Sequence, residues 1–193
     1  YMDGVDTIIR MAIDYGLSIG FESRDLILAL LLVQFIGFPA ALVFGRLAHR
    51  IGERNAIVVA ILGYSVATLW GCVMTEKMDF YFLAGLIGCF QGGIQAFSRS
   101  FFARFIPSGQ ESGYFGLMNM TGKMAAIAGP ALVAVVGLIS RYLLTPPNPL
   151  PEQIVQINQL SSRIGMGSVL LLFAAGVVLL SYVKEPPENP LTI

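Results

Sequence analysis

Five long apolar runs divide this chain, and they constrain its fold more than any other feature. They cover residues 26–48, 56–74, 80–97, 114–138 and 164–183. A helix needs roughly 20 residues to cross the hydrocarbon core of a bilayer, so each run has about the length of one crossing. The backbone in lipid must satisfy its own hydrogen bonds, and the runs lack the alternation of barrel strands, so we expect five transmembrane helices.

The stretch before these runs, Tyr1 to Gly20, predicts a sixth helix, which is partial. With this stretch counted as the first run, the apolar runs 26–48, 56–74, 80–97, 114–138 and 164–183 are the second to the sixth. It has helical periodicity but is short and carries four charged residues. It begins without a methionine, a capping residue or a polar flank, from which we expect further protein to precede it. The predicted fold is an all-α, polytopic transmembrane bundle in which residues 1–193 form one unit.

Composition excludes several classes of protein. Hydrophobic residues make up 55% of the chain and charged residues 12%, about half the share of roughly 25% that is usual in soluble domains. The formal net charge is zero, which argues against a nucleic-acid partner. Cys72 and Cys89 lie inside apolar runs, where packing is the favoured interpretation. With His49 the single histidine and no paired metal-ligand or Ser/His/Asp motif, we expect neither an enzyme nor a cofactor.

The distribution of basic residues predicts the orientation in the membrane. One side of the predicted bundle carries Arg46, Arg50, Arg54, Arg99, Arg104 and Lys184, and the other carries Arg24, Lys77, Arg141 and Arg163. The positive-inside rule therefore places the turn from Arg46 to Arg54 and the C-terminal tail in the cytoplasm. On the opposite side, Ile154, Ile157 and Leu160 recur at helical spacing in the connection from Ser140 to Ser162, which predicts a short amphipathic helix along the interface.

Charged residues in the first helix form a stripe. Asp3, Asp6, Arg10 and Asp14 recur at steps of three and four and fall within an arc of roughly 80°. An ionisable group at membrane depth is costly, so this stripe should line a cavity or pair with charges on neighbouring helices. In the fifth run Asn119 and Lys123 lie one turn apart, and Lys123 is a candidate partner for one of the acids.

Two interpretations of the stripe remain open. Arg10 lies one turn from both Asp6 and Asp14, so the stripe fits a static ion-pair ladder that holds a non-transporting scaffold or assembly protein together. Alternatively, three acids against two bases leave one carboxylate without a partner, as a proton cycle requires.

The fourth run supplies a polar face and a packing face. Gln91 and Gln95 lie one turn apart and suit either a cavity wall or interhelical hydrogen bonds. Gly88 and Gly92 give small residues at four-residue spacing, which favours close helix packing. The third and sixth runs contain no charged residue, which predicts peripheral, lipid-facing helices. Pro39 and the pair Gly129–Pro130 fall inside runs, where they could bend or interrupt a helix.

The turn between the second and third runs carries a family resemblance. Its motif residues are Gly45, Arg46, His49, Arg50, Gly52 and Arg54. This turn resembles the cytoplasmic loop signature of the major facilitator superfamily (MFS), in the copy between the eighth and ninth helices. The resemblance implies that the chain is the C-terminal half of such a transporter, from a truncated seventh helix to the twelfth, without its N-terminal half. His49 stands where the family pattern usually has Asp, so the expected carboxylate contact with a neighbouring helix end should not form in the same way.

Further stretches resemble one branch of the superfamily more closely. They are Asp3–Ile9, Gln91–Ser100, Phe115–Asn119, Gly122–Lys123 and Gly129–Pro130. In this order they are similar to the bacterial relatives of the autophagy-related vacuolar amino-acid effluxers.

That resemblance implies secondary active transport of a small polar solute by alternating access, with amino-acid efflux as the favoured substrate class, in a bacterial cytoplasmic membrane. The carboxylate of the stripe without a partner adds proton coupling to this expectation. The candidate residues of the substrate or proton pathway are Asp3, Asp6, Arg10, Asp14, Gln91, Gln95, Asn119 and Lys123.

Overall fold

The chain folds into a bundle of α-helices. The structure, a computed structural model, describes residues 1–18, 20–74, 76–148 and 150–183. The helices are α1 (Met2–Ser18), α2 (Ser23–Ile51), α3 (Glu53–Val73), α4 (Lys77–Ala103), α5 (Glu111–Leu144), α6 (Pro151–Gly167) and α7 (Val169–Tyr182). The described residues contain no strand. The predicted all-α class is confirmed, whereas Lys184 and the tail after it lie outside the described residues.

Within the described residues, five helical segments are long and apolar enough to cross a membrane. They are α2, α3, α4, α5 and the continuous stretch Pro151–Tyr182, and each corresponds to one of the predicted runs. Acidic residues occupy the first turns of several of these helices, for example Asp25 in α2 and Glu111 in α5, where they interact favourably with the helix dipole. The helices therefore extend beyond the apolar runs, and the protein is an integral membrane protein.

The connection between α5 and α6 differs from its prediction. The helix expected to lie separately along the interface is instead the first half of the last spanning segment, because α6 passes into α7 through a single turn residue, Ser168. Its polar and apolar periodicity arises from packing against α5. A Cβ added at Gly165 would lie 2.8 Å from the carbonyl oxygen of Val133, so the two backbones touch there.

Helix α3 supplies much of the buried core. Its buried residues are Ala56, Ile57, Ala60, Ile61, Tyr64, Ala67, Thr68 and Gly71. Small residues among them let α3 pack closely, and it contacts α4, α6 and α7. The prediction that the third run is peripheral holds only for its other face, where Leu62, Val66 and Leu69 are exposed.

The glycines of α4 pack against α2, as predicted. A Cβ at Gly88 would lie 2.9 Å from the carbonyl oxygen of Val33, and one at Gly92 would lie 3.0 Å from the Cβ of Ala41. Since real Cβ atoms rarely approach other atoms so closely, the contact between α2 and α4 depends on glycine at both positions.

Two helices leave broad apolar faces uncovered. Phe35 of α2 is 80% exposed and Ile127 of α5 is 72% exposed. Both helices run without interruption through their internal prolines, Pro39 and Pro130, so these prolines do not interrupt a helix, and that they bend one stays a prediction. The uncovered faces require lipid or further protein, because a patch of this kind is not stable in water.

Candidate functional site

A cavity of about 840 Å³ lies between α1, the end of α4 and the first half of α5. We call it the charged cavity. Its charged and polar lining residues are Tyr1, Asp3, Asp6, Arg10, Ser98, Arg99, Asn119, Thr121 and Lys123. Five of the eight predicted pathway residues thus share one cavity: Asp3, Asp6, Arg10, Asn119 and Lys123. Its size is within the range of small-molecule sites.

Ser98 and Arg99 line this cavity but were not among the predicted pathway residues. Ser98 comes seven residues after Gln91 and so lies on the same face of α4, which is the sequence signal that could have identified it. Its hydroxyl accepts a hydrogen bond from the Tyr1 hydroxyl at 2.8 Å and donates to the carbonyl oxygen of Ile94 at 2.5 Å. These bonds join the start of α1 to the last turns of α4.

The charged cavity lies at the end of the bundle that carries the Arg46–Arg54 turn. Arg54 at the start of α3 donates a hydrogen bond to the carbonyl oxygen of Ser181 near the end of α7, at 2.7 Å. Glu53 forms an ion pair with Arg104, just after α4, with 3.1 Å between Oε2 and Nε. The ends of α2, α4 and α7 and the start of α3 therefore meet at one side, where the cavity is also found.

Asp3 is tied to both α1 and α5. Its Oδ1 accepts a hydrogen bond from the backbone amide of Gly129 at 3.3 Å, and its carbonyl oxygen accepts one from the Thr7 hydroxyl at 2.7 Å. A Cβ at Gly129 would overlap Oγ1 of Thr7 and would lie 2.9 Å from Oδ1 of Asp3. Glycine at position 129 thus allows α1 and α5 to touch beside the cavity.

Among the described residues, the other charges of the cavity form no ion pair. The ion pairs of this part of the chain are Asp25–Lys77 at 2.7 Å and Glu53–Arg104 at 3.1 Å, and neither involves Asp6, Arg10, Asp14 or Lys123. The ladder interpretation requires Arg10 to pair with Asp6 or Asp14, so it gains no support. Arg10 and Lys123 are instead exposed at the cavity wall.

Three predicted pathway residues lie elsewhere. Asp14 lines a second cavity, of about 440 Å³, between α1, α5 and α6. Gln91 lines a small apolar cavity of about 110 Å³ between α1, α2 and α4, where its Oε1 is buried without a hydrogen-bond partner among the described residues. Gln95 lines none of these three cavities. Their role in a pathway stays a prediction.

The contact at Gly129 separates the charged cavity from the second cavity, which Asp14 lines. Along α5, Gly129 lies between Ala126, which lines the charged cavity, and Val133, which lines the second. Helical periodicity placed Asp14 on the same face of α1 as Asp3, but it gave no sign of where α5 contacts that face. The charged stripe is therefore divided by α5.

The loop motif forms the tight turn between α2 and α3. Gly52 ends α2 with φ of +85°, a left-handed backbone conformation that favours glycine. Its amide donates to the carbonyl oxygen of Ala48 at 2.9 Å. The side chains of Arg46, His49 and Arg50 are exposed, and a Cβ at Gly45 would meet no neighbour.

Glu53 makes a carboxylate contact between this turn and the end of α4. Its Oε1 accepts a hydrogen bond from the Ser100 hydroxyl at 2.6 Å, in addition to the ion pair with Arg104. Both partners belong to the end of α4. A carboxylate four residues after His49 therefore joins the turn to α4, and the expectation that the usual contact does not form in the same way at His49 itself stays a prediction.

Comparison with known proteins identifies the family. Residues 1–140 match a family model described as "Vacuole effluxer Atg22 like". The "Uncharacterized MFS-type transporter YxiO" of Bacillus subtilis is 34% identical over 185 residues, which cover 96% of this chain and 39% of that protein. "Autophagy-related protein 22" of Cryptococcus neoformans is 31% identical over 155 residues, which cover 72% of this chain and 27% of that protein. No solved structure matches.

The chain spans less than half the length of each of these two relatives. The family model covers well over half of the chain, and the Bacillus protein matches nearly all of it. The resemblance of the loop turn and the later stretches is thereby confirmed at the level of the family, and the chain belongs to the Atg22-like vacuole effluxer family of MFS transporters.

Proposed function

We propose that this chain is half of a secondary active transporter, and that the charged cavity is where the transporter holds a small polar solute. The observation that carries the proposal is the meeting of Asp3, Asp6 and Arg10 of α1 with Asn119 and Lys123 of α5 around one cavity. Ionisable groups at membrane depth are costly and commonly mark solute or ion pathways.

The charges of the cavity favour a zwitterionic solute. Asp6 offers an acceptor for an ammonium group, and Arg10 and Lys123 offer donors for a carboxylate. Because Arg10 and Lys123 form no ion pair among the described residues, both are available to a solute. Amino-acid efflux is the substrate class that we propose, supported by this charge pattern and by the family description as effluxers.

We further propose alternating access against an N-terminal half. The uncovered apolar faces of α2 and α5, with Phe35 and Ile127 mostly exposed, support a partner surface beside the cavity. In transporters built from two halves, solute sites lie between the halves, and rocking of one against the other exposes the site to each side in turn. The distribution of basic residues supports a cytoplasmic position for the charged cavity, and the membrane that we propose is the bacterial cytoplasmic membrane.

Proton coupling is the last part of the proposal. Asp3, Asp6 and Asp14 form no ion pair among the described residues, and Asp3 accepts a hydrogen bond from the backbone amide of Gly129. A carboxylate without a cationic partner can bind and release a proton during a transport cycle.

The test is flux of radiolabelled amino acids in liposomes containing the full-length protein, with and without an imposed pH gradient. The proposal predicts saturable flux of at least one amino acid, accelerated by a gradient of the appropriate sign. Flux that ignores the pH gradient would remove the proton coupling alone. Absence of flux across a broad panel would favour the alternative, a scaffold or assembly protein on a transporter fold.

A further inference from the structure

The second cavity combines opposite charges with unsatisfied polar groups. Asp14 of α1 and Arg141 of α5 line it, together with Asn158, Ser161 and Ser162 of α6. Its volume of about 440 Å³ suits a molecule of a few heavy atoms. It lies toward the opposite end of α1 and α5 from the charged cavity.

Ser161 is the strongest sign that this cavity binds something. Ser161 is 4% exposed, and its Oγ has no hydrogen-bond partner among the described residues. Oδ1 of Asn158, one turn away on the same face of α6, is likewise buried and unpartnered. Buried polar atoms are nearly always hydrogen-bonded, so two such atoms at one cavity wall point to a ligand that supplies the bonds.

The neighbouring Ser162 makes the hydrogen bond that Ser161 lacks. Its hydroxyl donates to the carbonyl oxygen of Asn158 at 2.9 Å, which is the usual local bond of a helical serine. Ser161 does not make this bond, and its hydroxyl is left for the cavity.

We propose that the second cavity is a separate binding site for a small zwitterion with an apolar body. Asp14 receives the cationic group, Arg141 receives the carboxylate, and Ser161 and Asn158 complete the hydrogen bonds. Met11, Val133, Ala134, Leu138 and Met166 line the remainder of the cavity and contact the apolar body. This site goes beyond the proposed transport site, since it shares no residue with the charged cavity.

Valine is a suitable probe, because it has both charges and a compact branched body. Saturation binding of tritiated valine is measured on the full-length protein in detergent micelles free of phosphatidylethanolamine. A Lys123→Ala background removes the contribution of the charged cavity. If the proposed transport function is wrong, this measurement still tests the second cavity. If the second cavity binds nothing, the flux assay still tests transport.

The expected result is saturable binding that weakens by about tenfold or more with Arg141→Gln or Asn158→Leu, since each removes a hydrogen bond to a charged or buried group. Arg24→Gln and Asn55→Leu are matched controls on exposed residues outside the cavity and should leave binding unchanged. Isobutylamine, which lacks the carboxylate, and 3-methylbutanoate, which lacks the amine, should each compete about tenfold or more weakly than valine.

Ser161→Ala separates binding from folding. Because the hydroxyl of Ser161 is unpartnered in the protein, its removal should maintain or raise the melting temperature while weakening valine binding. The proposal is overturned if no saturable binding occurs in the Lys123→Ala protein, or if binding is insensitive to both Arg141→Gln and Asn158→Leu. Displacement of valine by added phosphatidylethanolamine would also overturn it, by assigning the cavity to a lipid headgroup.

Discussion

The backbone amide of Gly129 donates a hydrogen bond to Oδ1 of Asp3 across 3.3 Å, joining α5 to α1. The two residues are 126 positions apart in the chain. The contact lies between two polar cavities, because α5 lines the charged cavity on one side of Gly129 and the second cavity on the other. The close approach of the two helices thus determines which charges of α1 share a cavity.

Replacing Gly129 with alanine should destabilise the protein. The added methyl group would overlap Oγ1 of Thr7 and crowd Oδ1 of Asp3, so the free energy of unfolding should fall by about 1–3 kcal/mol. Thermal unfolding in detergent measures the effect. The control is Gly116→Ala in the same helix, where a Cβ would meet no neighbour and the substitution should be neutral or stabilising by up to about 1 kcal/mol. Equal melting temperatures for both variants would refute the close contact.

Glu53 and Arg104 should show energetic coupling. Their ion pair joins the α2–α3 turn to the end of α4, but the Arg104 side chain is 42% exposed, so solvent screening keeps the coupling to about 0.5–1 kcal/mol. A double-mutant cycle of Glu53→Gln and Arg104→Gln, followed by thermal unfolding, measures it. Strict additivity of the two substitutions would show that the pair contributes nothing.

His49 should not determine how transport responds to pH. Its side chain is exposed on the turn, and Glu53 supplies the carboxylate contact with α4. His49→Asp should therefore leave the pH profile of flux unchanged between about pH 5 and 8, the range in which histidines commonly titrate. A displaced profile would instead make His49 a pH sensor.

The ion pair of Asp25 and Lys77 should stabilise the other end of the bundle at neutral pH. These residues precede the apolar runs of α2 and α4 and lie 2.7 Å apart. The Lys77 ammonium lowers the pKa of the Asp25 carboxyl, with a smaller contribution from the Tyr81 hydroxyl, and Asp25 raises the pKa of Lys77.

A lowered carboxyl pKa means that the stabilisation is present above the usual pKa of aspartate and is lost as the pH falls through the folded-state value. Lys77→Ala should therefore lower the melting temperature slightly near pH 7, and this difference should shrink as the pH falls below about 4 and Asp25 becomes protonated. If the difference in melting temperature persists at the lower pH, the effect comes from lost packing of the Lys77 side chain and not from the ion pair.

The helices were predictable because hydropathy reports length and burial in lipid directly. Each of the five apolar runs corresponds to a helix to within one residue at its end, and the stretch from Tyr1 forms α1. The boundaries were less predictable, since each helix begins in a polar segment before its apolar run. The hydropathy pattern did not predict that α6 joins α7 through Ser168. The polar residues of α6 lie on the face toward α5 as well as on the exposed face of α6, so this half of the segment did not read as apolar.

The candidate site was predictable only in part. Helical periodicity placed Asp3, Asp6 and Arg10 on one face of α1. In the structure these three residues line one cavity together with Lys123, as that prediction requires. Periodicity placed Asp14 on that face too, but the position at which another helix contacts that face is a property of tertiary packing. The pairing of Glu53 with Arg104 joins residues of different helices, and single-sequence periodicity gives no information on such contacts.

The most direct test of the charged cavity is amino-acid flux through liposomes containing Lys123→Ala, beside Lys77→Ala as the matched control. Each substitution removes one ammonium group, but only Lys123 lines the cavity, whereas Lys77 pairs with Asp25 at the bundle end. We expect flux to be lost with Lys123→Ala, with normal expression, and retained with Lys77→Ala. Normal flux through Lys123→Ala, or equal loss in both proteins, would contradict the assignment of the solute path to this cavity.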